Sequence, residues 1–98
     1  MRVEEAMIVE KTVVIKNKQG LHARPAALFV QIANKFNSEI TISKGKQKVN
    51  GKSIMGIMML EAGAGSKITI AANGDDAQKA VTDLAALLLG SDIEDFTI

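Results

Sequence analysis

The single histidine of this chain, His22, lies in the segment Gly20-Leu21-His22-Ala23-Arg24-Pro25-Ala26, which also holds the only proline. Proline has no backbone N–H and clashes with the carbonyl four residues back, so Pro25 predicts the first turn of a helix. His22 is then expected at the N-cap or just outside it. The free N–H groups and the positive dipole end of a helix disfavour an imidazolium and attract anions.

Arg24 adds a permanently charged group to this predicted helix start. Its fork of N–H donors matches the oxygens of a phosphoryl group. A neutral, nucleophilic imidazole beside an anion-binding helix start therefore favours a phosphohistidine. An isolated histidine near a helix start is more often a cap or a surface residue, but the flanking glycine, arginine and proline favour the phosphohistidine here.

Size and composition exclude several other kinds of protein. The chain has 98 residues, 47% of them hydrophobic, with twelve basic and eleven acidic residues and a formal charge of +1. This length predicts one domain over residues 1–98, with a core at about residues 8–90 and short extensions at both ends. The balanced charge offers no footprint for nucleic acid or an anionic membrane. With no cysteine and one histidine, we expect no disulfide, no thiolate or multi-histidine metal site and no cofactor.

The chain also lacks the signals of export. Its acidic N-terminus has no apolar signal-peptide core, and no segment approaches about eighteen uninterrupted apolar residues. We therefore expect an unexported, cytoplasmic protein without membrane insertion.

Hydrophobic periodicity predicts the elements that position His22. Strands alternate apolar and polar residues, whereas helices carry apolar residues three and four apart. The predicted strands are residues 9–16, 39–43, 46–50 and 66–72. The first helix is predicted from the turn holding Pro25 to Phe36, and a short second helix is predicted with Ser53 at or near its N-cap.

The third helix is predicted from a capping box of Asp75 and Gln78 to Gly90. The resulting order, βαββαβα, predicts an α+β open-faced β-sandwich: a four-stranded antiparallel sheet with three helices on one face. Residues 91–98 give no firm prediction.

Two separated motifs, the segment around His22 and Lys52-Ser53-Ile54-Met55-Gly56-Ile57-Met58, resemble the HPr family. HPr is the histidine-containing phosphocarrier of the bacterial phosphoenolpyruvate-dependent sugar phosphotransferase system, and the resemblance covers residues 9–88. It implies that His22 accepts a phosphoryl group on Nδ1 from phosphorylated enzyme I and passes it to the IIA component of a sugar permease. Arg24 would assist the transfer, which needs no metal on the carrier.

Ser53 is the second site that the resemblance implies. In HPr proteins of the low-GC Gram-positive type, the matching serine is phosphorylated by an ATP-dependent kinase/phosphorylase, and regulatory relatives bind a catabolite-control transcription factor through that phosphoserine. A short helix cannot bury every side, and methionine adapts to several partners. We therefore predict an apolar docking patch beside His22, which a phosphate on Ser53 would spoil. Its residues are Ala23, Ala27, Ile54, Met55, Met58 and Met59.

Some features depart from the family or have an ordinary explanation. The loop Asn17-Lys18-Gln19-Gly20 lacks the proline of many members, and the acidic N-terminal extension and the tail with Ile93-Glu94-Asp95-Phe96 exceed the usual length. A solvated, charge-decorated edge is the expected role of four lysines. They are Lys44, Lys46, Lys48 and Lys52.

Three alternatives stay open from the sequence. The first is a carrier for a nitrogen-related or dihydroxyacetone-kinase phosphorelay, although the context of Ser53 favours the sugar branch. The second is a mainly regulatory paralogue acting through phosphorylated Ser53, although such paralogues typically lack the histidine. The third is a structural domain in which His22 is only a cap.

Overall fold

Runs of alternating β-branched residues form strands in this protein, and amphipathic runs between them form helices. The computed structural model describes residues 8–16 and 18–90, so the N-terminal extension, Asn17 and the C-terminal tail lie outside the described residues. The described strands are β1 (Ile8–Val14), β2 (Glu39–Lys44), β3 (Gln47–Asn50) and β4 (Lys67–Asn73). The described helices are α1 (Ala23–Ala33), α2 (Ile54–Met59) and α3 (Ala77–Leu89). The predicted α+β class and βαββαβα order are confirmed.

The strands form one antiparallel sheet in the order β1-β4-β2-β3. Ile42 at its centre lies opposite Ile70 of β4 and Val49 of β3. Residues that lie opposite each other on neighbouring strands point to the same face of a sheet, so these three apolar residues share one face. Ile42 and Ile70 are fully buried, which identifies it as the face toward the helices. The other face carries Thr12 and Thr69, whose hydroxyls are hydrogen-bonded at 2.9 Å, and also the exposed side chains of Ile8 and Val14. This is the open-faced arrangement that the sequence predicts.

Helices α1 and α3 supply the apolar layer that covers the inner face. Phe29 of α1 and Leu84 of α3 are fully buried, and burying side chains of this size stabilises a fold by about 1.5–3 kcal/mol each. The stripe predicted for the third helix is confirmed, since all of its members are buried. They are Ala77, Ala80, Val81, Leu84, Leu87 and Leu88. No helix in residues 8–16 and 18–90 has both the length and the apolar character needed to cross a membrane.

Helix α1 ends at Ala33, so the predicted end at Phe36 is wrong. The side chain of Asn34 donates to the carbonyl of Val30 at 3.0 Å. The N–H groups of Lys35 and Phe36 then bond to carbonyls only three residues back. This tighter turn directs Phe36, which is 8% exposed, into the core without extending the helix.

The predicted capping box at the start of α3 is also wrong. The N-cap is Asp76, its side chain makes no capping bond, and Gln78 donates to Thr82 Oγ1 at 3.3 Å. The Asp76 carboxylate instead accepts the Asn37 N–H at 2.9 Å, the Ser38 N–H at 3.0 Å and the Ser38 hydroxyl. These bonds, the Ser38 hydroxyl first and the Asn37 N–H next, lower the pKa of Asp76. The carboxylate therefore fastens the start of α3 to the connection between α1 and β2.

Candidate functional site

The loop that precedes α1 is held against the chain segment that follows α2. Gly20 is buried with φ +71°, and a Cβ there would lie 2.4 Å from the carbonyl oxygen of Ala62 and 2.6 Å from the Cα of Gly63. The next residue, Leu21, donates its N–H to the same Ala62 carbonyl at 2.8 Å. Only glycine fits both the left-handed backbone and this close approach. The loop is therefore fixed immediately before His22.

His22 is the N-cap of α1, as the sequence predicts. Its backbone is extended, with φ −88° and ψ −166°, and its side chain makes no capping hydrogen bond. Its carbonyl accepts the first helical bond from the Ala26 N–H at 3.0 Å. Pro25 lies in the first turn, where its missing N–H costs nothing. The backbone of His22 thus starts the helix, and its imidazole is left for other contacts.

The two ring nitrogens of His22 are not equivalent. Nε2 is buried and has no hydrogen-bond partner in the described part of the chain. In this ring orientation Nε2 is enclosed by the protein, so another molecule cannot reach it.

The first turn of α1 has the electrostatics of an anion site. The N–H groups of Ala23 and Arg24 precede the first helical hydrogen bond, so they have no partner within the helix. The first turn contains no acidic residue. Arg24 is exposed, and within residues 8–16 and 18–90 the only ion pair joins Lys79 and Asp83. The positive charge of Arg24 at the start of α1 is therefore not paired with any acidic side chain that the structure describes.

Ser53 is the N-cap of α2, as predicted. Its Oγ accepts the Gly56 N–H at 3.0 Å, and its side chain is half-buried. Gly56 packs closely, because a Cβ there would lie 3.3 Å from Ser53 Oγ and 3.3 Å from the Cβ of Val49. The serine hydroxyl thus lies at the start of a helix that packs against α1 and β3.

One flank of α2 exposes a cluster of apolar side chains. Ile57 is fully buried, whereas Ile54 is 38%, Met55 69%, Met58 41% and Met59 63% exposed. On the predicted docking patch, Ala23 of α1 is exposed and Ala27 is half-buried. Helices α1 and α2 contact each other, so the two helices that carry the predicted patch residues are neighbours in the fold.

The predicted basic hairpin is only partly a solvated edge. Lys46 and Lys48 are exposed. In contrast, Lys44 Nζ donates to the carbonyl of Glu61 at 3.1 Å, and Lys52 Nζ donates to the carbonyl of Phe36 at 2.7 Å. Two of the four lysines therefore fasten backbone segments after α2 and after α1.

Sequence reasoning missed the residues that support the site from behind. The carbonyl of Ala62 and the close approach of Gly63 fix the loop before His22. The glycines in Ala62-Gly63-Ala64-Gly65 indicate a break after α2. Nothing in their spacing identifies Gly20 and Leu21 as the residues that they contact.

The described residues contain no group of three or more His, Cys, Asp or Glu side chains that could hold a metal ion.

Comparisons with known proteins give one family. A family model described as the PTS HPr component phosphorylation site matches residues 9–89. The chain is 57% identical over 81 residues to the HPr-like protein Crh of Halalkalibacterium halodurans, covering 83% of this chain and 96% of that protein.

Solved structures agree with the sequence relatives. The crystal structure of a phosphocarrier protein HPr from Bacillus anthracis matches with a TM-score of 0.80 and 54% identity, over 83% of this chain and 96% of that one. The solution structure of Crh, described as the Bacillus subtilis catabolite repression HPr, matches with a TM-score of 0.63 and 49% identity, over 82% and 95% of the two chains.

Proposed function

This chain belongs to the HPr family of phosphotransferase-system phosphocarriers, and on that premise we propose that His22 accepts a phosphoryl group from phosphorylated enzyme I and donates it to IIA components of sugar permeases. The protein is then a carrier that depends on partner enzymes, working in the cytoplasm. The observation that carries the proposal is the imidazole of His22, which lies at the N-cap of α1 and makes no capping hydrogen bond.

The transfer step uses the Nδ1 lone pair of a neutral imidazole. A bond forms from Nδ1 to phosphorus as the bond from phosphorus to the donor breaks, and the second transfer reverses this with the acceptor as nucleophile. Burial of Nε2 supports Nδ1 as the reacting atom. The N–H groups at the helix start and the guanidinium of Arg24 stabilise the charge on the equatorial oxygens.

Incubation with enzyme I and labelled phosphoenolpyruvate tests this proposal. The expected product is an acid-labile phosphate on the native chain and none on a His22→Ala variant that keeps a native circular dichroism spectrum. An acid-stable phosphate, or label retained by the variant, would contradict the proposal. Addition of purified IIA proteins then shows which of them discharges the carrier.

Ser53 is proposed as the regulatory phosphorylation site, modified by an ATP-dependent HPr kinase/phosphorylase. A phosphate there lies at the N-terminus of α2, where negative charge is favourable, and its oxygens can accept the Gly56 N–H in place of the hydroxyl. The fold is therefore expected to persist. The phosphate would lie next to the exposed flank of α2. Apolar docking of enzyme I on this flank would then require desolvation of the phosphate, which is unfavourable.

The regulatory proposal predicts that Ser53→Asp slows phosphoryl transfer from enzyme I while the circular dichroism spectrum stays native. Ser53→Ala is the matched control, because it removes the cap, at a cost of about 1 kcal/mol, without adding charge. A Ser53→Asp rate equal to that of Ser53→Ala would refute an electrostatic block.

A mainly regulatory function is the second candidate, in which phosphorylated Ser53 binds a catabolite-control transcription factor. The similarity to Crh, whose Bacillus subtilis member is described as a catabolite repression HPr, favours it. Regulatory paralogues typically lack the histidine, whereas His22 is present here. Labelling by enzyme I separates the two candidates, and the choice of IIA acceptor separates sugar uptake from a nitrogen-related or dihydroxyacetone-kinase relay.

A further inference from the structure

Three of the five methionines of the chain lie within α2 and share its exposed flank. Met55, Met58 and Met59 are spaced three and four residues apart, so their side chains are neighbours on one side of the helix. All three are exposed, while Ile57, on the other side of the helix, is fully buried and packs against the core. The thioether sulfurs are thus concentrated on a surface rather than in the interior.

We propose that Met55, Met58 and Met59 form an oxidation site, at which hydroperoxides convert the apolar flank of α2 into a polar one. The sulfur lone pair attacks one oxygen of the peroxide, the O–O bond breaks and an S–O bond forms. The methionine is oxidised by two electrons to the sulfoxide and hydrogen peroxide is reduced to water, with the departing oxygen taking up the proton. No metal or further reductant is needed.

The fold is expected to survive this reaction. The sulfoxide oxygen points into solvent at exposed positions, so it displaces no core atom, and Ile57 keeps its contacts. At each end the helix is held by bonds that do not involve the sulfurs: Ser53 Oγ accepts the Gly56 N–H, and Gln47 Nε2 donates to the Met59 carbonyl at 3.3 Å. Oxidation therefore changes the surface and leaves the helix in place.

The functional consequence rests on the proposed docking of enzyme I to this flank. A sulfoxide is a strong hydrogen-bond acceptor, and enclosing it in an apolar interface without a donor is costly. Oxidation is then expected to slow phosphorylation of His22 by about tenfold or more, the effect of burying one unpaired polar group. Because sulfoxide reductases reverse the reaction, the flank would act as a reversible redox control of the carrier.

The chemical part is tested by peroxide titration followed by peptide mass mapping. Met55 and Met59 are expected to gain one oxygen each before Met58, which is less exposed, while circular dichroism stays native. Resistance of all three at peroxide concentrations that oxidise free methionine would overturn the site. So would oxidation that appears only together with unfolding.

The functional part compares the native chain with a Met55→Leu/Met58→Leu/Met59→Leu variant, each before and after peroxide. Leucine is apolar and cannot be oxidised, and the ratio of the two rates cancels any effect of the substitutions on the starting rate. The ratio should fall about tenfold in the native chain, stay near one in the variant, and recover when sulfoxide reductase is added. An equal fall in both proteins, or none in the native chain, would overturn the inference. Absence of His22 labelling before peroxide treatment would instead contradict the proposed function.

Discussion

At the residue scale, the chemistry proposed for this chain depends on two side chains with few competing contacts. His22 starts α1 through its backbone and leaves its imidazole outside the capping bonds. Arg24, two residues later, is exposed and forms no ion pair with the residues that the structure describes. The His22 side chain is thus not used to cap α1, and Arg24 is not paired with a described acidic side chain, which suits the proposed contact of both with a partner's phosphoryl group.

Replacing Arg24 is expected to impair transfer without affecting stability. Arg24→Ala should lower the rate of phosphoryl transfer from enzyme I about tenfold or more, because a donor to the transition-state oxygens is lost. Arg24→Lys should recover only part of that rate, since lysine keeps the charge but not the planar fork. Stopped-flow transfer and thermal unfolding measure the two effects. A fall in melting temperature that accounts for the lost activity would show that Arg24 is structural.

Gly20 is the residue whose backbone positions His22. Gly20→Ala is expected to reduce the free energy of unfolding by more than about 1 kcal/mol, because alanine is strained at a positive φ. Its Cβ would also collide with the Ala62 carbonyl. Gly63→Ala is the matched control, since a Cβ there meets nothing within 4 Å. Chemical denaturation of both variants checks this, and equal stability of the two would contradict the packing described for the loop.

At the scale of the elements, local signals predicted the helix starts near the candidate site, and long-range contacts decided the rest. Pro25 favours a first helical turn through its fixed ring and missing N–H, and Ser53 caps α2 by accepting the Gly56 N–H, so both helix starts depend on nearby residues and were predictable. Asp76 forms its bonds with Asn37 and Ser38, which are distant in sequence, and these bonds displaced the capping box expected from Asp75. The contact of Gly20 with Ala62 was likewise beyond any local pattern.

The contact between α3 and the α1–β2 connection is expected to make stability depend on pH. The pKa of Asp76 is lowered from its ordinary value of 3.8, chiefly by the Ser38 hydroxyl and then by the Asn37 N–H. A carboxyl whose pKa is lower in the folded state stabilises the fold fully above its unfolded pKa. That stabilisation is lost as the pH falls through the folded value.

Asp76→Asn should therefore lower the melting temperature at neutral pH, and the difference from the native protein should shrink as the pH falls below 3.8. Asp75→Asn, at the neighbouring exposed position, is the control and should change the melting temperature little. Melting curves across this pH range measure both variants. A difference that stays constant with pH would mean that the charge of Asp76 is not what stabilises the contact.

At the scale of the whole molecule, different residues are expected to determine stability and docking: those on the buried face of the sheet and those on the exposed flank of α2. Ile42 is fully buried between β3 and β4, whereas Met55 is largely exposed on the opposite side of the helix layer from the core. The residues that stabilise the core and the residues exposed on α2 are therefore different, so substitutions can separate stability from the proposed docking. This separation leads to a paired prediction.

Ile42→Val removes one buried methylene and should lower the free energy of unfolding by about 0.5–1.5 kcal/mol. Below its melting temperature it should still accept a phosphoryl group from enzyme I at the native rate, because the surface around His22 is unchanged.

Met55→Gln should change the transfer rate and leave stability almost unchanged. Its free energy of unfolding should lie within about 0.5 kcal/mol of native, and its transfer should be slower, since a polar amide must be desolvated at the interface. Denaturation and transfer rates measured on both proteins test the pair. Transfer at the native rate by Met55→Gln would indicate that enzyme I docks on a surface other than the exposed flank of α2. The slower transfer predicted for Ser53→Asp and for the methionine sulfoxides would then have no explanation, because both predictions assume docking on this flank.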